Sequence, residues 1–431
     1  MNKKVFLKRL NEILTGLDES EKRRALEYYA EAIDDRVENG MSELEAVREL
    51  GAPETVAKRI LEDAGIDPDA YNARGEMVKH RRNQLIYILL GAVILAMVVI
   101  RTFSPILYVD EYEMKTMSLP AGFTGLDIDM RGFDTIISLS RDGTNSLTYP
   151  EGKHGTVEAA VNKHNTLEIK QIRKMNWLEQ LLLNVKTDCS VTLALTEEAY
   201  QMLKADSNSG NVVVEENFSF DSAKISTASG DVVFYARAND FSADTASGNV
   251  SLRRQTGGNI HVGTASGSIY VDGADLTGGV KLSAASGSVT AKNVTALALT
   301  ANTTSGNVSL SGVRADRVSA DTTSGSVSFS GVRAEHISAE TTSGRITMSD
   351  AVAADQLNAE STSGNVNLNE CDGKKIVIET TSGKIHAELL TPKRFSVSSG
   401  SGKVSCPASE GDETCRAKSG SGNIEITVSG K

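Results

Sequence analysis

Only four cysteines and a single tryptophan occur in the 431 residues, aromatic residues make up 5% of the chain, and the formal net charge is −11. Four cysteines are too few for a disulfide framework, and Cys189, Cys371, Cys406 and Cys415 lack metal-site spacing. The acidic balance argues against a protein that grips nucleic acid directly through its charge. His154, His164, His261, His336 and His386 are scattered, with no pair at ligand spacing. No nucleophile stands beside a base, no helix follows Gly257-Gly258 as a phosphate loop requires, and the calcium-binding nonapeptide with its fixed Asp is missing. No catalytic, cofactor-binding or metal-binding residue is assigned, and an enzyme is not expected.

What is abundant is glycine, and its placement is periodic. Asn302 to Ala339 reads as one 19-residue unit written twice, NTTSGNVSLSGVRADRVSA and DTTSGSVSFSGVRAEHISA. The Ser-Gly pair recurs in steps of 18 to 20 residues from Gly210 to Gly422, through Gly306, Gly325 and Gly344. A period that short describes rungs that bury their apolar faces only when stacked. Within a rung the apolar residues alternate, as in Val308 and Leu310 or Val318 and Ala320, which is strand periodicity. The expectation is a parallel β-solenoid of 19–20-residue rungs, at roughly 4.8 Å per rung. The corner glycines Gly306, Gly325 and Gly344 are expected at positive φ, where a side chain would clash. No rung between Asp206 and Ala417 departs from the period, so no loop-built cleft of the kind used by polysaccharide-active β-helix enzymes is expected. The cysteines fall on inward positions. Cys406 and Cys415 lie on the two runs of a single rung, where they either bridge its narrow core or pack as free thiols.

Residues 1–64 are written in a different period. Phe6, Leu7, Leu10, Ile13, Leu14 and Leu17 follow the spacing of an amphipathic helix. Asp18 with Glu21 starts a second helix that carries Leu26, Tyr29, Ile33 and Val37 and stops at Gly40. Ser42 with Glu45 starts a third ending at Gly51, and Pro53 opens a fourth. The segment carries 11 basic and 15 acidic residues, which favours a protein partner over DNA. The stretches FLKRLNEILTGL and EYYAEAIDDRVENGMSELEAVRELGAPETVAKRI resemble the HAAS domain, a cytoplasmic helical signalling module of bacterial membrane proteins. The resemblance rests on the Tyr-Tyr-x-Glu-x-Ile-x-Asp run from Tyr28 to Asp34 and on Leu50 to Pro53. It implies association with a PadR-like transcription regulator, with Tyr29, Glu31, Asp34 and Asp35 as partner-facing residues.

Residues 65–84 form a linker that ends basic, with Lys79, His80, Arg81 and Arg82. The next stretch, LIYILLGAVILAMVVI, runs from Leu85 to Ile100 without a charge. As a helix it rises about 24 Å, and flanking residues out to position 104 can extend it across a bilayer. Basic residues before it, and Asp110, Glu111 and Glu113 after it, put the N-terminus inside. The expectation is therefore a multidomain α + β chain. A cytoplasmic helical bundle (1–64) precedes a transmembrane helix (85–104), degenerate β rungs (105–205) and a regular solenoid outside the membrane (206–431). Within 105–205, Met175, Leu178, Leu181 and Leu182 beside Trp177 are read as capping the solenoid or lying on the bilayer. Met114 to Ile426 resembles the bacterial adhesin-like family of β-solenoid surface domains, through its Ser-Gly-x-Val-x-Val rung. Two functions follow: a membrane signalling protein that senses or binds the envelope, or a surface rod anchored by its membrane helix.

Overall fold

The computed structural model describes residues 1–14, 17–67, 112–153, 155–174 and 189–429. The expected membrane helix at 85–104, nearly all of the basic linker and the Met175–Leu182 segment lie outside them. Among the described residues no helix is long and apolar enough to cross a membrane. The chain divides into two units, 1–104 and 105–431.

In the first unit, four helices form α1 (Lys3–Ile13), α2 (Glu19–Glu38), α3 (Glu43–Leu50) and α4 (Pro53–Asp63). Each start is made locally. Asn2 accepts from the Val5 amide at 2.9 Å and Asp18 from the Ser20 amide at 2.9 Å. Ser42 and Glu45 complete a reciprocal capping box, and Pro53 occupies the first turn of α4. Phe6, Leu10, Leu14, Ile33, Val47, Val56 and Leu61 close the core. Of the residues expected inside from α2, Ile33 is fully buried, Leu26 and Tyr29 are half-buried, and Val37 is 39% exposed near the helix end.

The second unit is a β-solenoid of about 11 turns. Successive turns pair strand on strand in parallel, and equivalent positions of the repeat lie over one another. Val308 pairs with Val327, Val318 with Ile337, and Ala320 with Ala339. Because strand alternation is kept in register, every turn sends the same positions inward. Val308, Leu310, Val313, Val318 and Ala320 are all at most 1% exposed.

The corner glycines correct an expectation. Gly306, Gly325 and Gly344 are absent from the positive-φ glycines, so conformational freedom is not why they are there. A Cβ built on Gly325 would lie 1.7 Å from the Gly306 carbonyl oxygen, and one on Gly344 would lie 1.7 Å from that of Gly325. In-register stacking puts each corner directly on the backbone of the corner before it, leaving no room for a side chain. The contact is tied by a buried hydroxyl. Thr322 accepts from the Gly325 amide at 3.1 Å and donates to the Gly306 carbonyl at 2.9 Å. Thr303, Thr341 and Thr380 repeat the arrangement. The left-handed position lies six residues further on, at Gly312 and Gly331 (φ 63° each) and at Asn293, Asp350 and Glu370.

Both ends depart from sequence order. Near the first end lie β1 (Glu113–Ser118), β2 (Gly125–Met130), β3 (Asp134–Leu139), β4 (Ser146–Glu151), β5 (Gly155–Val161), β6 (Thr166–Arg173), β7 (Ser190–Leu195), β8 (Ala199–Ser207) and β9 (Val212–Val214). The β2–β3 turn is inserted in parallel between β6–β7 and β8–β9. β5 covers β6, and β4 covers β7, both antiparallel, with β1 antiparallel on β4. The region expected as degenerate rungs is thus rungs plus an antiparallel cap, which pairs edge groups that a bare parallel end would leave open. At the other end, strands Thr414–Ser419 and Ile424–Val428 are inserted between Val366–Leu389 and the turn Arg394–Ser405.

Candidate partner interface

Helix α2 presents the unit's acidic face. Its exposed residues Tyr28, Glu31, Asp35 and Glu38 follow one another at spacings of three, four and three, which puts them in one row along the helix. Tyr28 is 65% exposed, and its ring meets Tyr29 edge to face at 5.2 Å. Among the described residues Glu31, Asp35 and Glu38 form no ion pair, and Arg36 is the one basic residue between Arg24 and Arg48. Three carboxylates so spaced repel one another weakly and stabilise nothing within the domain.

The four residues anticipated from the sequence divide in two. Glu31 and Asp35 share this row. Asp34 turns toward α1 and is ion-paired with Lys3. Tyr29 points inward against the core, where burial raises its phenol above the ordinary value. Arg36, next to Asp35, is taken by Glu49 at 3.2 Å. Tyr28 and Glu38 are the further members of this surface, and their spacing from Glu31 and Asp35 is plain in the sequence.

On the solenoid, register stacks Asp321, Glu340, Glu360 and Glu379 on successive turns, with Lys418 next. They line a groove of about 540 Å³ beside Thr342, Thr362 and Thr381. Asn358 donates to Glu360 at 2.8 Å, Ser338 to Glu340 at 3.2 Å, and Arg416 pairs with Glu379 at 3.3 Å. No group of three or more His, Cys, Asp or Glu side chains among the described residues is arranged to hold a metal ion.

All four cysteines are free thiols, so the bridge considered for Cys406 and Cys415 is not formed. Cys415 is packed in register between Ile376 and Phe395, and Cys406 is half-buried at the solenoid's end. Burial pushes the Cys415 thiol up to about 12 and the Cys371 thiol up to about 11, which keeps both from acting as thiolates.

The HAAS family model matches residues 6–59. The model described as Toastrack DUF4097 matches residues 123–279, 224–327 and 258–427. No curated protein matches the chain. Among solved structures, a candidate adhesin of Bacteroides fragilis NCTC 9343 is 13% identical, with 74% of this chain and 97% of that one covered at a TM-score of 0.26. A candidate adhesin of Parabacteroides distasonis ATCC 8503 is 12% identical over the same shares, with a TM-score of 0.28. A candidate cell adhesion protein of Clostridium sporogenes ATCC 15579 is 12% identical, covers 74% of this chain and 100% of its own, and has a TM-score of 0.16. With the match running from 123 to 427, well over half of its length, and stacked Ser-Gly turns from Gly210 to Gly422 within it, the chain belongs to the Toastrack DUF4097 family.

Proposed function

We propose that the chain is a single-pass bacterial membrane protein with a signalling or regulatory role. In this reading residues 85–104 cross the membrane. The HAAS-type helices lie in the cytoplasm and engage a PadR-type regulator, and the solenoid lies outside, where it senses or binds a component of the envelope. The uncharged run from Leu85 to Ile100, with basic residues before it and acidic ones after it, supports the topology. The reading assigns no enzymatic turnover to either unit and no direct contact with nucleic acid.

The observation that carries the signalling role is the row Tyr28, Glu31, Asp35 and Glu38. It combines an exposed aromatic ring with carboxylates that the domain leaves unpaired while it pairs the adjacent Asp34 and Arg36. A basic, apolar-edged surface on a partner would supply what this row lacks. The HAAS core is closed within residues 6–66, so residues 1–67 can be tested as a soluble fragment. The fragment should bind a PadR-type regulator encoded beside it. Glu31→Lys with Asp35→Lys should stay helical and lose that binding, because like charges then face each other. If the wild-type fragment does not bind such a regulator, the alternative of a surface rod without signalling takes its place. Topology is checked separately in a chain whose own cysteines are replaced. A cysteine at Gly75 should resist an impermeant thiol reagent on intact cells, and one at Gly312 should react; the reverse pattern defeats the proposal.

A further inference from the structure

Lysine is almost never fully buried, yet Lys393, just before the strand Arg394–Ser399, has no exposed surface. Its ammonium meets three groups. Asp372 Oδ1 lies 2.5 Å away, Thr391 Oγ1 lies 2.6 Å away, and Glu413 Oε2 is in direct contact. The Thr391 hydroxyl donates in turn to both oxygens of Asp372, at 3.1 and 3.0 Å. Asp372 is itself mostly buried, with 16% of its side chain exposed. One carboxylate would neutralise the lysine; a second, plus a hydroxyl spanning the first pair, is more than an ion pair needs. An amine, a carboxyl group in contact with it, a proton acceptor on the amine and a hydrogen-bond donor on the carboxyl are the parts of an acyl-transfer site.

We propose that Lys393 and Asp372 condense into an intramolecular isopeptide bond, with Glu413 as the catalytic proton carrier. Glu413 takes one proton from the ammonium and passes it to an Asp372 oxygen, leaving an amine beside a carboxylic acid. The nitrogen lone pair adds to Cγ of Asp372, the Nζ–Cγ bond forms, and the carbonyl electron pair moves onto an oxygen that the Thr391 hydroxyl stabilises. Glu413 then carries a second proton from nitrogen to the departing hydroxyl. The C–O bond breaks, and water leaves. Two of the three ammonium protons depart with one Asp372 oxygen, the third stays on the amide nitrogen, and Glu413 ends as it began. No oxidant, metal or cofactor enters. The reaction is aided by geometry, since the reacting groups are already in contact, and by burial, since it replaces two desolvated charges with a neutral amide.

The bond would also have a mechanical place. Asp372 belongs to the turn on one side of the inserted strands Thr414–Ser419 and Ile424–Val428, and Lys393 leads into the turn on the other. The bond would staple the inserted turn between its neighbours.

Intact-mass measurement of the full chain purified from cells tests this directly. The expected mass is one water below that of the sequence, with a branched tryptic peptide joining Lys393 to Asp372. Full mass with separate peptides overturns the proposal. So does a water loss that maps to a cyclised Asp within one peptide, or a branch from Lys393 to Glu413. Lys393→Arg should restore full mass, and so should Glu413→Gln, which keeps the shape of the site and removes the proton carrier. A branched peptide in the Glu413→Gln variant overturns the catalytic assignment.

Discussion

Gly51 and Gly325 occupy comparable places, each ending one element and turning the chain toward the next, yet the two units use them for opposite reasons. In the helical unit Gly40 and Gly51 adopt φ of +94° and +95°, with open space where a Cβ would be. There the residue is chosen for the backbone it permits. In the solenoid Gly325 has an ordinary backbone and no space, because the previous corner's carbonyl occupies the place of its side chain. The helical unit settles its elements one at a time through caps that reach two or three residues along the chain. The solenoid settles each turn against the next, through contacts with partners about 19 residues away. A repeat stacked on itself makes any defect in one turn a defect in its neighbours' template.

The sharpest way to break the comparison is Gly325→Val. Its branched side chain would displace backbone rather than a flexible side chain, so the loss should exceed about 4 kcal/mol. Thermal unfolding of the full chain should show the solenoid transition collapse while the helical one stays in place. If the solenoid keeps its stability, the corner contact is looser than described.

Thr322→Val should follow, costing about 1–3 kcal/mol in denaturant unfolding, because it strands the Gly325 amide and the Gly306 carbonyl without their shared hydroxyl. A neutral result would mean that another group satisfies both. In the helical unit, Gly51→Ala should cost about 1–3 kcal/mol through its backbone alone, since φ 95° with ψ −176° is a region essentially confined to glycine. The solenoid transition should be unmoved. An effect as large as that of Gly325→Val would erase the distinction between the two uses of glycine.

The smallest effect is expected at the carboxylate stack. Glu360→Gln keeps an acceptor for Asn358 and removes one of four like charges in register, so it should raise solenoid stability by about 0.2–1 kcal/mol at low salt. The gain should vanish at high ionic strength, where exposed charges are screened. If it persists, packing rather than charge is responsible.

Much of this was legible in advance, and the parts that were not share a cause. Ser42 with Glu45, Pro53 and the alternation of Val308 with Leu310 act over a few residues, so helices, strands and period could all be read from local patterns. What depends on distant pairing could not. That Asp34 would be claimed by Lys3 while Asp35 stayed open follows from how α1 docks on α2. That Gly325 lacks space follows from stacking rather than from its neighbours in sequence. The end turns are the clearest case. Every Ser-Gly turn offers the same edge pattern, so nothing in Ser421-Gly422 indicates that it stacks on Gly383 with Gly402 outside it. The membrane-spanning expectation is carried by composition alone, and a lone lysine among loop residues, as Lys393 is, has no pattern to betray its burial.

The inserted turn near residue 420 also constrains the order in which the protein can be completed. From β8 onward to Leu389 each turn can settle on the one made just before it, as the chain emerges. Arg394–Ser405 cannot, because its neighbour in the stack is Thr414–Val428, which is synthesised later. It can take its final place only after those residues appear and pair on both sides. A chain stopped at residue 413 would hold a nearly whole solenoid with its outer turn unplaced, and Arg394–Ser405 gains its neighbour only when Thr414–Val428 enters the stack.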